Sequence, residues 1–270
     1  MNIKIILLFL TTLTPFFLFS QSSIISWNIR DFGRTKTTIE LQEIANTIKD
    51  VDLVAVQEVV AVDPAGAQKV AVLADILNRT GAKWDYRVSD KTTSPGRRGE
   101  RYAYLWKTSK LQLIGRPFLE KKHEPIIFRE PYMARFKSKE GIFLIANYHA
   151  RNYREMPEEE IDLLLQLNKE YPEDNVIIAG DFNKYSDDKY FSRLRSQEYE
   201  LCPKGEKTTL KTSCKSGSYF NHPIDFFIYE KAEFEILSSG AIDFVGECSR
   251  IEIARSISDH LPVFINFHLN

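Results

Sequence analysis

The apolar residues of this chain come in short runs, and several of those runs stop at a polar side chain. Ile24-Ile25-Ser26-Trp27 ends at Asn28, Leu53-Val54-Ala55-Val56 ends at Gln57-Glu58, and Asn175 to Ala179 ends at Gly180-Asp181-Phe182-Asn183. Gly141 to Tyr148 ends at His149, and Ser258-Asp259-His260-Leu261-Pro262 precedes a last run from Val263 to Phe267. Continuous rather than alternating apolarity, rich in Val and Ile, reads as strands buried on both faces. Such strands have to be covered above and below, which commits the chain to a layered fold. It also brings the polar residues at their ends toward one sheet edge, where sites in α/β proteins lie.

Helix-period segments between the runs supply the cover. Ile39, Leu41, Ile44 and Ile48 recur at roughly helical spacing over Ile39 to Lys49, with Thr37 or Thr38 as candidate cap. A second helix is expected over Gly66 to Thr80, with Val70, Leu73, Ala74 and Leu77 inward. A third is expected over Pro157 to Tyr171, opened by Pro157, with three Glu in its first turn and Ile161, Leu164 and Leu165 on one face. Further strands are expected at Arg101 to Trp106 and Asp225 to Tyr229. Strand-helix alternation in the first half and consecutive strands later point to an α/β or α+β sandwich. No Pro/Gly/Ser linker, repeat or low-complexity tract divides the chain, so one domain is expected.

The N-terminus has Lys4, an apolar run from Ile5 to Phe19, and then Ser20-Gln21-Ser22-Ser23. This is the pattern of a signal peptide over residues 1–20, leaving a secreted or periplasmic catalytic domain over residues 21–270. The run is shorter than the roughly 20 residues a span needs, and Thr11, Thr12, Thr14 and Pro15 interrupt it. The mature form is therefore expected to be off the membrane. Lys+Arg 36 against Asp+Glu 37 gives a net charge of -1, so attraction to a polyanion has to come from local patches. Of three cysteines, Cys202 and Cys214 flank a polar, turn-rich loop and are the expected pair, leaving Cys248 single. None lies at a metal-type spacing, so zinc is not expected.

The residues at the run ends have a common chemistry. Glu58, Asn28, Asp181, Asn183 and Asp259 are oxygen donors of the kind a hard divalent cation such as Mg²⁺ takes, with waters left over for a substrate phosphate. His149 and His260 are two of only five histidines. Phosphodiester hydrolysis needs one group to deprotonate water and another to protonate the leaving oxygen, and two imidazoles across a phosphate supply both. Each ring needs a carboxylate to hold its tautomer, and Glu100 and Asp225 are the candidates. Basic and aromatic residues cluster at Arg30 to Lys36, Arg97 to Arg101 and Arg151 to Arg154, beside these positions, which makes them candidate phosphate contacts.

Taken in order, from Ser26-Trp27-Asn28 to Ser258-Asp259-His260-Leu261-Pro262, the motifs resemble the endonuclease/exonuclease/phosphatase superfamily, and within it the deoxyribonuclease I-like branch. Gly99-Glu100-Arg101-Tyr102 and Phe128-Arg129-Glu130-Pro131 are similar to segments of that branch. The resemblance implies a four-layer sandwich of two packed mixed β-sheets with helices outside. It implies that Glu100 orients His149 as general acid and that Asp225 orients His260 as general base. Glu58 would hold Mg²⁺ (Mn²⁺ or Ca²⁺ being alternatives), helped by Asn28 and Asp259, while Asp181 and Asn183 would bind metal or the scissile phosphate. Arg129, with Arg30, Arg98 and Arg101, would contact substrate.

The chain departs from the branch in three places. Val60 and Arg98 stand where the vertebrate enzymes carry an Arg and a Tyr that enter the DNA minor groove, and Asp225 is flanked by Ile224 and Phe226 instead of Tyr and Arg. Arg98 would still suit a narrow minor groove. The expected function is a monomeric, metal-dependent endonuclease acting on DNA, with a sphingomyelinase-like or inositol-phosphate phosphodiesterase as the alternative on the same core. A catalytically dead binding module would be expected to lose Glu58, His149 or His260, and all three are present.

Overall fold

The computed structural model describes residues 21–94, 99–124 and 126–270; the expected leader over residues 1–20 and Arg98 lie outside them. Its first half runs β1 (Ser22–Phe32), α1 (Thr38–Ile48), β2 (Leu53–Val60), α2 (Ala65–Leu77), β3 (Trp84–Val88), β4 (Glu100–Lys107), β5 (Gln112–Leu119), β6 (Tyr132–Lys137) and β7 (Ile142–His149). Then come α3 (Glu158–Leu164), α4 (Leu167–Glu170), β8 (Asn175–Asp181), β9 (Tyr199–Cys202), β10 (Leu210–Lys215) and β11 (Ser218–Phe220). The chain ends with β12 (Asp225–Glu230), β13 (Phe234–Ala241), α5 (Ile251–Ile257) and β14 (Val263–Leu269).

Two six-stranded sheets result, with orders β13-β14-β1-β2-β4-β3 and β5-β6-β7-β8-β12-β9, while β10 and β11 form a separate hairpin. Both sheets are mixed: β1 runs parallel to β2 and β7 parallel to β8, with antiparallel neighbours outside them. Alternate residues of each strand go to opposite layers. Ile24, Leu53, Ala55, Tyr102, Tyr104, Ile145, Ile177 and Phe227 fill the space between the sheets. Their neighbours Ile25, Trp27, Val54 and Val56 turn outward onto Leu41 and Ile44 of α1 and Val70 and Leu73 of α2. On the other side Leu144, Ala146, Val176 and Ile178 meet Ile161 and Leu164 of α3 and Leu167 of α4. The result is the expected four-layer sandwich, and each fully buried Leu, Ile or Val adds about 1.5–3 kcal/mol through its apolar area.

Thr37 is the cap of α1: its Oγ1 accepts from Glu40 N at 3.3 Å while Glu40 Oε2 accepts from Thr37 N at 2.7 Å, a reciprocal capping box. The helix expected over Pro157 to Tyr171 divides into α3 and α4. Gln166 N bonds to Leu163 O, one residue short of the α-helical partner, and this tightened turn breaks the helix before Leu167 is buried. A polar clasp joins the sheets near the site: Gln57 Nε2 donates to Asn147 Oδ1 at 2.6 Å, and Asn147 Nδ2 donates to Val56 O at 3.1 Å and Ala103 O at 3.2 Å. At the end of β8, a Cβ on Gly180 would lie 1.8 Å from Tyr148 O, so the pairing that sets Asp181 beside His149 requires glycine there.

The cysteine pairing differs from expectation. Cys214 bonds to Cys248, with Cα atoms 5.5 Å apart, and Cys202 carries no disulfide. The loop after Cys202 leaves the second sheet, where β9 pairs with β12, and carries Cys214 into the β10–β11 hairpin. That hairpin packs with α5 and the turn at Cys248 in a small cluster around Leu210, Tyr219, Ile251 and Leu261. Burial pushes the Cys202 thiol up to about 12. Among the described residues no helix is long and apolar enough to cross a membrane. The bridge closes a 34-residue separation, so Cys248→Ser should lower the unfolding free energy by about 3–4 kcal/mol in a denaturant titration. Non-reducing peptide mapping should recover the Cys214–Cys248 pair, and a Cys202–Cys214 peptide would contradict the fold of the hairpin.

Candidate active site

Three adjacent strand ends of the second sheet put one titratable residue each in a row. His149 at the end of β7 is in register with Asp181 of β8, and Asp181 is in register with Asp225 of β12. Asn28 of β1, Glu58 of β2 and Glu100 of β4 approach this row from the first sheet. His260 comes from the turn before β14, held by an isolated bridge to Thr209.

The two imidazoles are mounted alike. His149 Nδ1 lies 3.1 and 3.0 Å from the Glu100 carboxylate oxygens, and its Nε2 lies 3.6 Å from Asp181 Oδ2. His260 Nδ1 lies 3.0 Å from both oxygens of Asp225, and its Nε2 lies 3.7 Å from the same Asp181 oxygen. Each Nδ1–H thus donates outward to a buried carboxylate, and both Nε2 atoms converge on one point, available to take or give a proton.

Supporting contacts fix both rings. His149 N donates to the Tyr102 hydroxyl at 3.2 Å. Thr208 Oγ1 donates to Asp225 Oδ2 at 2.6 Å and accepts from Asp225 N at 3.1 Å. His260 N donates to Ser258 Oγ at 2.9 Å, Ser258 Oγ donates to Asn28 O at 2.6 Å, and Trp27 Nε1 donates to His260 O at 2.8 Å. Tyr102 had a signal in sequence, since it lies two residues after Glu100 and therefore on the same face of β4. Thr208 had none, because its role depends on a loop returning to Asp225.

Burial acts against the charge on both histidines, yet both are raised. For His149, burial and the Arg129 charge lower the imidazole, but Glu100 and Asp181 outweigh them. For His260, burial is outweighed by Asp225, Asp181 and Asp259. Burial lifts Asp225 itself, and the neighbouring Asp181 charge adds to the lift. Glu100 goes the other way: burial raises it, and His149 and Arg129 together bring it below the usual range.

Beside the rings, three oxygen-bearing side chains meet. Asn28 Nδ2 lies 3.0 Å from Glu58 Oε1 and 3.1 Å from Asp181 Oδ2, while Asn28 Oδ1 is buried with no hydrogen-bond partner among the described residues. Two carboxylates and an amide with an unsatisfied buried acceptor suit a hard divalent cation. Asp181, Asp225 and His260 also place ligand atoms within 4.8 Å of one another. Both sets are hydrogen-bonded internally. The unpartnered Asn28 Oδ1 favours the Asn28–Glu58–Asp181 set, where a cation would replace the bonds that Asn28 Nδ2 makes to the two carboxylates, the amide turning its oxygen inward.

The remaining expected residues are distributed as follows. Asn183 N donates to Asp181 Oδ1 at 2.9 Å, and its amide donates to Ala150 O at 3.2 Å, keeping it at the site. Asp259 faces Arg255 at 3.5 Å and Arg30 at 3.8 Å. Arg129 donates to Ala150 O at 2.7 Å and sits 3.2 Å from Glu100 Oε2, so its charge serves the His149–Glu100 pair. Arg101 donates to Ser89 O at 2.7 Å, at the edge of the first sheet. Arg30 is half exposed beside Asp31 and Asp259. Val60 pairs with Glu100 in the β2–β4 ladder.

The sequence matches the family described as Endonuclease/Exonuclease/phosphatase family over residues 25–260. It is 26% identical over 281 aligned positions to a protein named Deoxyribonuclease from Thioalkalivibrio sp. (strain K90mix), covering 97% of this chain and 75% of the relative. Human Deoxyribonuclease-1-like 1 is 24% identical over 237 positions, covering 81% of this chain and 74% of that protein. Among solved structures, an endonuclease/exonuclease/phosphatase family protein from Bacteroides thetaiotaomicron superimposes with a TM-score of 0.67 at 17% identity, covering 92% of this chain and 97% of that one.

The pairing of His260 with Asp225 can be tested by titration. A raised imidazole is stabilising in full below the ordinary value of 6.5, and the contribution is lost as pH rises through about 10. In chelator-treated protein, NMR titration should place His260 above 6.5, and Asp225→Asn should lower it. A His260 value unmoved by that substitution would contradict the assigned pair.

Proposed function

Since the chain belongs to the endonuclease/exonuclease/phosphatase family, we propose that it is an exported, divalent-metal-dependent endonuclease that hydrolyses phosphodiester bonds in DNA. The observation that carries this reading is the convergence of two histidine–carboxylate dyads on Asp181 Oδ2, at 3.6 and 3.7 Å. Hydrolysis at phosphorus needs a base on the water side and an acid on the leaving-group side, and the two Nε2 atoms face one space from opposite mounts. His260, held by Asp225, takes the proton of the attacking water. His149, held by Glu100, whose charge favours the protonated ring, donates a proton to the leaving oxygen.

Asn28, Glu58 and Asp181 would hold the cation. A divalent ion there would neutralise phosphate charge, stabilise the leaving oxygen and offset the Asp181 charge, which adds to that of Asp225 in raising His260. Asn183, anchored to Asp181 and Ala150, has its side chain beside that space and would contact a phosphate oxygen. The names of the bacterial and human relatives support DNA as the polymer. Export is supported by the pattern of residues 1–20 and by the Cys214–Cys248 disulfide, since such bonds persist in oxidising compartments.

The mature protein should nick supercoiled plasmid with Mg²⁺, lose that activity in EDTA and regain it when Mg²⁺ is restored. His260→Ala and His149→Ala should each lower the nicking rate by about 10²- to 10⁴-fold, the range of general acid–base contributions. Glu58→Ala should raise the Mg²⁺ concentration needed for half-maximal activity as well as lower the rate. The same preparation should be offered plasmid, RNA and sphingomyelin. Robust sphingomyelin cleavage with intact plasmid would overturn the nuclease reading.

A further inference from the structure

The catalytic row of His149, Asp181 and Asp225 is shadowed by a second row one loop further out. Tyr153 lies four residues after His149, Tyr185 four residues after Asp181, and His222 three residues before Asp225. Because β7, β8 and β12 are adjacent and in register, these three loops emerge side by side and their rings stack. Tyr153 and Tyr185 have ring centroids 6.2 Å apart with planes 27° apart, and Tyr185 and His222 have centroids 5.2 Å apart with planes 21° apart. The Tyr185 hydroxyl and His222 Nδ1 are 2.7 Å apart, which locks the middle of the row. Asparagine and backbone bonds tie the row to the site: Asn183 to Ala150 O, and Thr208 N to His222 O at 2.8 Å.

This row is not part of a core. Tyr153 is 58% exposed and Tyr185 is 40% exposed, and His222 is exposed as well. Beside it a cavity of about 530 Å³ runs from His222 to His260 and is lined also by Lys211, Lys215 and Arg255. Tyr185 is stacked against both neighbours and Lys184 Nζ lies 5.6 Å from the Tyr153 ring centroid, so the row meets a base at its His222 end, beside a groove where Lys211, Lys215 and Arg255 outnumber Asp259. A stacking ring thus adjoins a net cationic path for a phosphate backbone. A paired base has both faces covered by its neighbours in the duplex, so only an unpaired nucleotide can offer a face to such a row.

We propose that Tyr153, Tyr185 and His222 form a stacking platform for unpaired bases next to the scissile phosphate, which makes single-stranded DNA the preferred substrate. This rests on the nuclease reading and adds the strand state of the polymer to it. The Lys211–Lys215–Arg255 groove then follows the backbone, and the catalytic row receives the phosphate between them.

The test compares three fluorescein-labelled oligonucleotides of one length: a single strand, its duplex, and a single strand whose central residues are abasic tetrahydrofuran units with the same charge. Wild type should show a kcat/KM on the base-bearing single strand at least about fivefold above both others, from the usual worth of one stacked base. Tyr185→Ala should bring the ratio of base-bearing to abasic cleavage down toward one through KM, by about 5- to 100-fold. Tyr185→Phe, which keeps the ring and loses the hydroxyl, should retain most of that ratio. A Tyr185→Ala protein with the wild-type ratio would overturn the platform, as would equal loss on both single strands or preference for the duplex. Cleavage of none of the three, under conditions where plasmid is also untouched, would overturn the nuclease reading and the platform with it.

Discussion

Two sheets facing each other through apolar side chains have little to fix how far one slides across the other. In this fold the Gln57–Asn147 clasp supplies that constraint, since three directional hydrogen bonds near the site end of the interface are satisfied in one register. The site relies on that registration, because three of its contacts join one sheet to the other. Glu100 of the first sheet holds His149 of the second, Asp225 of the second holds His260 of the first, and Asn28 of the first reaches Asp181 of the second. Sliding one sheet across the other would misalign all three contacts together, and hydrogen bonds weaken steeply as they bend.

Much of this was legible in the sequence, for a reason particular to such folds. Strands buried on both faces cannot hide among polar residues, so the runs ending at Asn28, Glu58, His149 and Asp181 stood out, and their ends had to share an edge. Chemistry called for an acceptor at each imidazole Nδ1 and left Glu100 and Asp225 as the candidates, while the resemblance to the family supplied which carboxylate goes with which ring. What was less legible concerns where chains go after leaving a sheet. Cys202 and Cys214 are close in sequence, yet the loop between them crosses from the edge of the second sheet to a hairpin packed on α5.

The arginines teach a related point. The family resemblance makes Arg129 a candidate phosphate contact and a basic cluster makes Arg101 one, but the fold sets the first against Glu100 and backbone carbonyls and the second on Ser89 O. Burying Glu100 next to Glu58 and Asp181 concentrates negative charge where the proposed phosphodiester substrate would arrive. Arg129 offsets part of it, and a cation among Asn28, Glu58 and Asp181 would offset the rest. The net charge of -1 for the chain hides this local excess entirely.

Glu58 and Asn183 share a backbone feature, positive φ at 60° and 48°, at the two strand ends that flank Asp181. Glycine would adopt that conformation at no steric cost, whereas a side chain is strained there. Asn tolerates that region better than Glu does, so selection for thermal resistance alone would press hardest on Glu58, against the carboxylate that the proposed chemistry needs. On the proposed mechanism durability and turnover compete at Glu58, so a laboratory lineage evolved only for heat tolerance is the setting in which an inert descendant of this fold would arise.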